Sequence, residues 1–220
     1  MNARTLGIFL GLVGFAGAAY ALTRSARNGP AEGVNWDTLP YDFIDMGEAF
    51  VNQATEQPAA VPIDQAEANV RAFLQAIIAA EGTAQRGDPY RATFGYSHVI
   101  QDLSDHPYYT GEWKGAPFYS GGREQWSTAA GAYQFLRRTW AGLRVNLGLP
   151  DFSPASQDAA AIELIRERGA LEDVKAGRFA TAVEKVRRVW ASLPGAGYGQ
   201  PERQLASLQA AYINAGGTLA

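Results

Sequence analysis

Val70, Leu74, Ile77 and Glu81 fall on one face of a 3.6-residue helix, at offsets of 11, 7 and 4 from the last of them. The stripe forces one side of this segment into a core, and its final position carries an acid where another Leu or Ile is expected. Gly82-Thr83 follows directly and stops the helix, because Gly takes the left-handed conformation that helix ends require. At the other end, Pro62 disfavours helix before it, Asp64 is placed to cap, and Glu67 three residues later would complete a capping box. The pattern predicts a helix over roughly 65–81. A carboxyl group at the edge of a core holds its proton to unusually high pH, which suits it to acid catalysis. The alternative is a solvent-facing Glu that happens to fall on the stripe.

The chain has 220 residues, enough for one domain with extensions, and no cysteine. Disulfides, a thiol nucleophile and cysteine-ligated metal are therefore excluded, and packing alone must hold the fold. His98 and His106 are the only imidazoles. A hydrolytic zinc site normally uses two or three histidines with a carboxylate, so both read as hydrogen-bonding groups of loops or surface, and no metal or cofactor is expected.

Arg4 and Arg24 bracket 19 uncharged residues, 5–23, long enough to cross a bilayer as helix. Ala19-Tyr20-Ala21 reads as a signal-peptide cleavage triplet, whereas Gly7 and Gly11 at helix-pairing spacing read as part of a retained signal anchor in the inner membrane. Either reading delivers the remainder outside the cytoplasm. Residues 24–63, rich in Pro, Gly and acids, read as a linker. Three of the 19 bases and six of the 22 acids precede residue 64, which leaves 16 of each in residues 64–220. A domain without net charge is a poor partner for nucleic acid.

Within 64–220, helical patterning recurs at 129–147, 156–168, 179–191 and 201–215. Ser153 is placed to cap a helix whose first residue is Pro154, and Gly169 to end it. Between Glu81 and Ser127 the chain is rich in Gly, Pro and aromatics, including Tyr90, Phe94, Tyr96, Tyr108, Tyr109, Trp113, Phe118, Tyr119 and Trp126. This stretch reads as loops and short strands that could face a sugar substrate, although most such aromatics serve as packing. The expected fold is α+β and mainly α, with a small β or loop-rich insert after the first helix.

The stretches EGT (81–83), DHP (105–107), AAGAYQF (129–135), DFSPASQDAAA (151–161), RGAL (168–171) and WASLPGAGYGQ (190–200) occur in this order. Through them, residues 70–217 resemble the lambda-type phage endolysins, lytic transglycosylases of glycoside hydrolase family 104 with a lysozyme-like fold. The resemblance implies Glu81 as catalytic acid and Tyr133, Gln134 and Tyr198 as substrate-binding residues. Tyr133 and Gln134 also read as helix-start packing and a backbone hydrogen bond, and Tyr198 as support for a Gly-rich turn. Ala132 departs from the pattern, which usually has Arg there.

The implied substrate is peptidoglycan glycan, cut between N-acetylmuramic acid and N-acetylglucosamine to leave a 1,6-anhydro sugar, by a monomeric catalytic domain acting in the periplasm or carried on the virion. A water-using muramidase and a non-catalytic wall-binding or virion structural protein remain alternatives. The muramidase would need a second carboxylate, for which Asp88, Asp102, Asp105, Glu112 and Glu124 are available and Asp105 is the foremost.

Overall fold

The computed structural model describes residues 62–120, 122–197 and 202–220. The expected membrane span and nearly all of the expected linker lie outside the described residues. Among the described residues, no helix is long and apolar enough to cross a membrane.

Helix α1, Ile63–Glu81, ends where the stripe predicts, at a left-handed Gly82 whose N–H bonds the Ile78 carbonyl. Its start differs from expectation: Pro62 occupies the cap position, no side chain caps, and Asp64 lies in the first turn instead. There its charge still favours the positive end of the helix dipole. The buried face is wider than the stripe, with Phe73 and Ile78 joining Leu74, Ile77 and Glu81.

After α1 the chain runs through short 3₁₀ turns at Thr83–Arg86, Pro89–Arg91 and Phe94–Tyr96, then a four-residue helix α2, Pro107–Thr110. The insert is a hairpin of β1, Ala116–Ser120, and β2, Arg123–Ser127, paired antiparallel with Ala116 opposite Ser127. The mainly helical fold with a small sheet thus agrees with expectation.

The predicted helix over 129–147 is a correction. Gly131 and Gln134 both have positive φ, 78° and 51°, and Ala130 forms bridges to both Thr93 and Phe135. Residues 129–135 are therefore a tight turn, and helix α3 begins only at Arg137, running Arg137–Leu147. Helix α4, Pro154–Glu167, starts as the sequence requires: the Ser156 N–H donates to Ser153 Oγ, and Gly169 beyond the end is left-handed.

Two further helices are shorter than predicted, α6 at Phe179–Val186 and α7 at Leu205–Asn214. Helix α5, Leu171–Lys175, lies in a segment that shows no periodicity. Its buried Asp173 is paired with Arg178 at 2.8 Å and Lys185 at 2.6 Å, which ties α5 to the helix that follows. Helix α1 packs against both α7 and α5, and the Phe179 ring of α6 meets those of Phe73 in α1 and Tyr212 in α7.

Candidate active site

Glu81 projects from the last turn of α1 into the protein and is 1% exposed. Ser192 Oγ donates a 2.6 Å hydrogen bond to its Oε1. Its Oε2 is buried with no hydrogen-bond partner among the described residues. Burial pushes the Glu81 carboxyl up to about 8, against the opposing effects of the Ser192 hydrogen bond and the Arg203 charge. The group is thus protonated at neutral pH while its neighbours are arranged to stabilise the anion. That combination is what a general acid needs if it must also release the proton.

Three segments converge on the end of α1. The Thr83 hydroxyl donates to the Ala132 carbonyl at 2.9 Å, fixing the 129–135 turn against the end of α1. The Tyr96 hydroxyl donates to the Gly82 carbonyl. From the same 3₁₀ turn, Phe94 meets Phe118 of the hairpin edge to face, with centroids 5.5 Å apart. The 190–193 turn brings Ser192, and Trp190 Nε1 donates to the Tyr133 carbonyl at 3.2 Å.

Both histidines are engaged by neighbouring groups. His98 Nε2 bonds Glu112 Oε1 at 2.6 Å, and the same carboxylate accepts the N–H groups of Gln101 and Asp102. His106 is fully buried, contrary to the loop or surface role expected of it. Its Nδ1 accepts from the Tyr108 N–H, so Nε2 carries the proton and donates to the Phe135 carbonyl at 3.0 Å. Among the described residues, no group of three or more His, Asp or Glu could hold a metal ion.

Asp105, the foremost candidate for a second carboxylate, is engaged elsewhere. It accepts from Trp140 Nε1 at 2.8 Å and from the His106 N–H at 2.7 Å, and it pairs with Arg144. Asp88 caps the Tyr90 turn, Asp102 accepts the Ser104 N–H, and Glu124 lies exposed on the hairpin. Asp88, Asp102 and Asp105 are thus engaged by local structure.

Glu81 is thus a buried acid at the end of α1, in a domain that resembles known proteins. The endolysin family model matches residues 71–219. The chain is 43% identical to the endolysin of Escherichia phage P2 over 164 residues, covering 71% of this chain and 98% of the relative. It is 41% identical to the endolysin of Escherichia phage lambda over 154 residues, covering 68% of this chain and 92% of the relative.

The chain belongs to the endolysin family. Among solved structures, bacteriophage lambda lysozyme complexed with a chitohexasaccharide is similar, with a TM-score of 0.61 and 39% identity, covering 73% of this chain and all of the other. A second structure of lysozyme from bacteriophage lambda gives a TM-score of 0.59 at 38% identity.

In this endolysin-family domain the other expected site residues are not all placed alike. Tyr133 is 1% exposed, and its hydroxyl donates to Asp158 Oδ1 at 2.6 Å, sharing that oxygen with the Tyr90 hydroxyl at 2.9 Å. Burial, with the Asp158 carboxylate beside it, pushes the Tyr133 hydroxyl far above its usual range, so it is a neutral donor that anchors the turn from behind. Gln134 is 8% exposed, and its side-chain amide donates to the Gly131 carbonyl at 3.0 Å. Tyr198 lies outside the described residues.

Ala132, where the endolysin pattern usually has Arg, is fully buried and contributes its backbone to Thr83 and Gln157. Of the aromatics, Phe94, Trp113 and Phe118 are core, whereas Tyr119 and Trp126 are 76% and 56% exposed. Pro117 faces Trp126 and Tyr119 faces Glu124 in the hairpin register, so both rings stand on one outer face. Sequence reasoning passed over Ser192 and Arg203. Ser192 lay inside the WASLPGAGYGQ motif, and that was the available signal.

Proposed function

We propose that this domain degrades peptidoglycan as a lytic transglycosylase, with Glu81 as both general acid and general base. The observation that carries the reading is the Glu81 carboxyl, buried and protonated at neutral pH, held at Oε1 by Ser192 and, among the described residues, unpartnered at Oε2. The proton on Glu81 passes to the glycosidic oxygen between N-acetylmuramic acid and N-acetylglucosamine, and the C1–O bond breaks as oxocarbenium character develops. The C6 hydroxyl of the muramic residue then attacks C1, and its proton returns to the Glu81 carboxylate. A 1,6-anhydro ring closes and no water is consumed. A hydrolase would need a further carboxylate to activate water or attack C1, and the local engagement of Asp105 argues against its serving as one.

The bound chitohexasaccharide of the lambda relative supports a glycan groove here as well. In this reading the 131–135 turn forms one wall, Tyr133 supports it, Gln134 stands at its rim, and Tyr198 is retained as a substrate contact through its motif. The exposed rings of Tyr119 and Trp126 offer flat faces for sugar stacking.

Mass spectrometry of digested peptidoglycan tests the chemistry, because anhydro ends weigh one water less than reducing ends. Reducing ends alone would replace this reading with a muramidase. In the same digests Trp126→Ala should raise KM for glycan without changing the products, and an unchanged KM would remove Trp126 from the groove.

We further propose that residues 1–23 carry the domain across the inner membrane, as an anchor or a cleaved signal. The amino-terminal residue of the mature protein decides between them, a start at Leu22 meaning cleavage. Cytoplasmic retention of the whole chain would refute both.

A further inference from the structure

The last turn of α1 carries no basic side chain, so any positive charge acting on Glu81 must come from outside its own helix. It comes from Arg203, which is 122 residues away in sequence. The Arg203 backbone N–H donates to the Ser192 carbonyl at 2.8 Å, and its side-chain Nε donates to the Ala80 carbonyl at 3.2 Å. One residue therefore clips the residue before Glu81 to the residue that hydrogen-bonds Glu81. Gly82 completes the arrangement: its φ of 72° favours glycine, and a Cβ there would lie 3.3 Å from Arg203 Nη2 and 2.9 Å from Gln85 Nε2. A side chain there would crowd the guanidinium where it lies beside the end of the helix.

We propose that Arg203 is a positioning residue for the acid–base cycle, which stabilises the Glu81 carboxylate formed on proton donation and holds Ser192 in register with it. The proposal rests on Glu81 being the catalytic acid. Among the described residues, the groups acting on Glu81 are the Ser192 hydroxyl and the Arg203 guanidinium, and both favour its charged form, against burial. Losing the guanidinium leaves the acid holding its proton more tightly, so donation slows and ionisation is deferred to higher pH. A residue that merely braced the fold would lower activity by the same factor at every pH.

The test is the pH profile of kcat/KM on purified peptidoglycan for the wild type, Arg203→Gln and Arg203→Lys, with folding monitored by circular dichroism. Arg203→Gln should lower the plateau by about tenfold and move the alkaline limb upward by roughly one pH unit. Arg203→Lys, which keeps the charge, should restore the limb to its wild-type position. A folded Gln variant with an unmoved limb would overturn the proposal, as would a displaced limb in the Lys variant. Should the Gln variant fail to fold, Arg203→Met keeps the aliphatic stem and is read in the same way. Glu81→Gln runs alongside: full activity there defeats the Glu81 reading itself, whereas an inactive Glu81→Gln with an unshifted Arg203→Gln defeats only the role of Arg203.

Discussion

Glu81→Gln is expected to abolish glycan cleavage and, at the same time, to stabilise the domain progressively as pH rises. Loss of a general acid typically costs about 10²- to 10⁴-fold in rate, and in the proposed mechanism the same group also acts as base. The stability effect follows from the carboxyl being pushed from 4.5 up to about 8 in the folded protein by burial. In the unfolded chain the group ionises above its ordinary value, while the folded chain holds the proton until about pH 8. Between these limits the native state binds more protons than the unfolded one, so stability falls as pH rises and levels off above the upper limit.

Each unit of difference corresponds to about 1.4 kcal/mol, so the burden at pH 8 amounts to a few kcal/mol. Gln keeps an acceptor for Ser192 and cannot ionise, so the burden disappears. Melting temperatures at pH 5 and pH 8 check this. The gap between variant and wild type should widen at pH 8 by several degrees, at roughly 2–4 °C per kcal/mol for a domain of this size. A gap that stays constant would mean that Glu81 is not held protonated by burial.

What could be read from the sequence followed from local rules. The stripe of α1 fixed its buried face, and Gly82, Ser153-Pro154 and Gly169 marked helix boundaries at which the backbone requires those residue types. The failures have separate causes. Ala129–Phe135 has helix-forming composition, yet Gly131 and Gln134 adopt left-handed conformations because tertiary partners hold the turn: Thr93 bridges Ala130, and Gln157 accepts the Ala132 N–H. Helix α5 is too short to show a period.

Ser192 and Arg203 act on a residue more than 100 positions away, from a turn and from the segment before α7, where no periodicity singles them out. The loop aromatics likewise offered no pattern to separate the buried Phe118 from its exposed neighbour Tyr119; only strand register does so. The buried carboxyl was therefore legible, whereas the residues packed around it were not.

Gly131→Ala should be among the most damaging single-methyl changes available to this domain. The residue has φ of 78°, so any side chain there pays the left-handed cost of about 1–2 kcal/mol. The larger part is steric. A Cβ at Gly131 would lie 2.8 Å from Gln157 Cδ and 2.9 Å from Phe152 Cζ. Gln157 has no freedom to retreat: it is fully buried, its Oε1 accepts the Ala132 N–H at 2.9 Å, and its Nε2 donates to the carbonyls of Tyr90 and Phe152 at 3.0 and 2.8 Å. Displacing it leaves buried polar groups unpaired at about 1–3 kcal/mol each.

The expected loss is about 3–5 kcal/mol, a fall of roughly 10 °C in melting temperature. Activity should fall with it, since the Ala132 carbonyl released from its place is the acceptor of Thr83, two residues beyond Glu81. Gly148→Ala supplies the comparison. Gly148 also has positive φ, 63°, but nothing stands within 4 Å of its would-be Cβ, so it bears the conformational cost alone. Denaturant unfolding of the two variants separates the contributions, and equal destabilisation would show that Gln157 can move without penalty and that the turn beside Glu81 is not locked by packing.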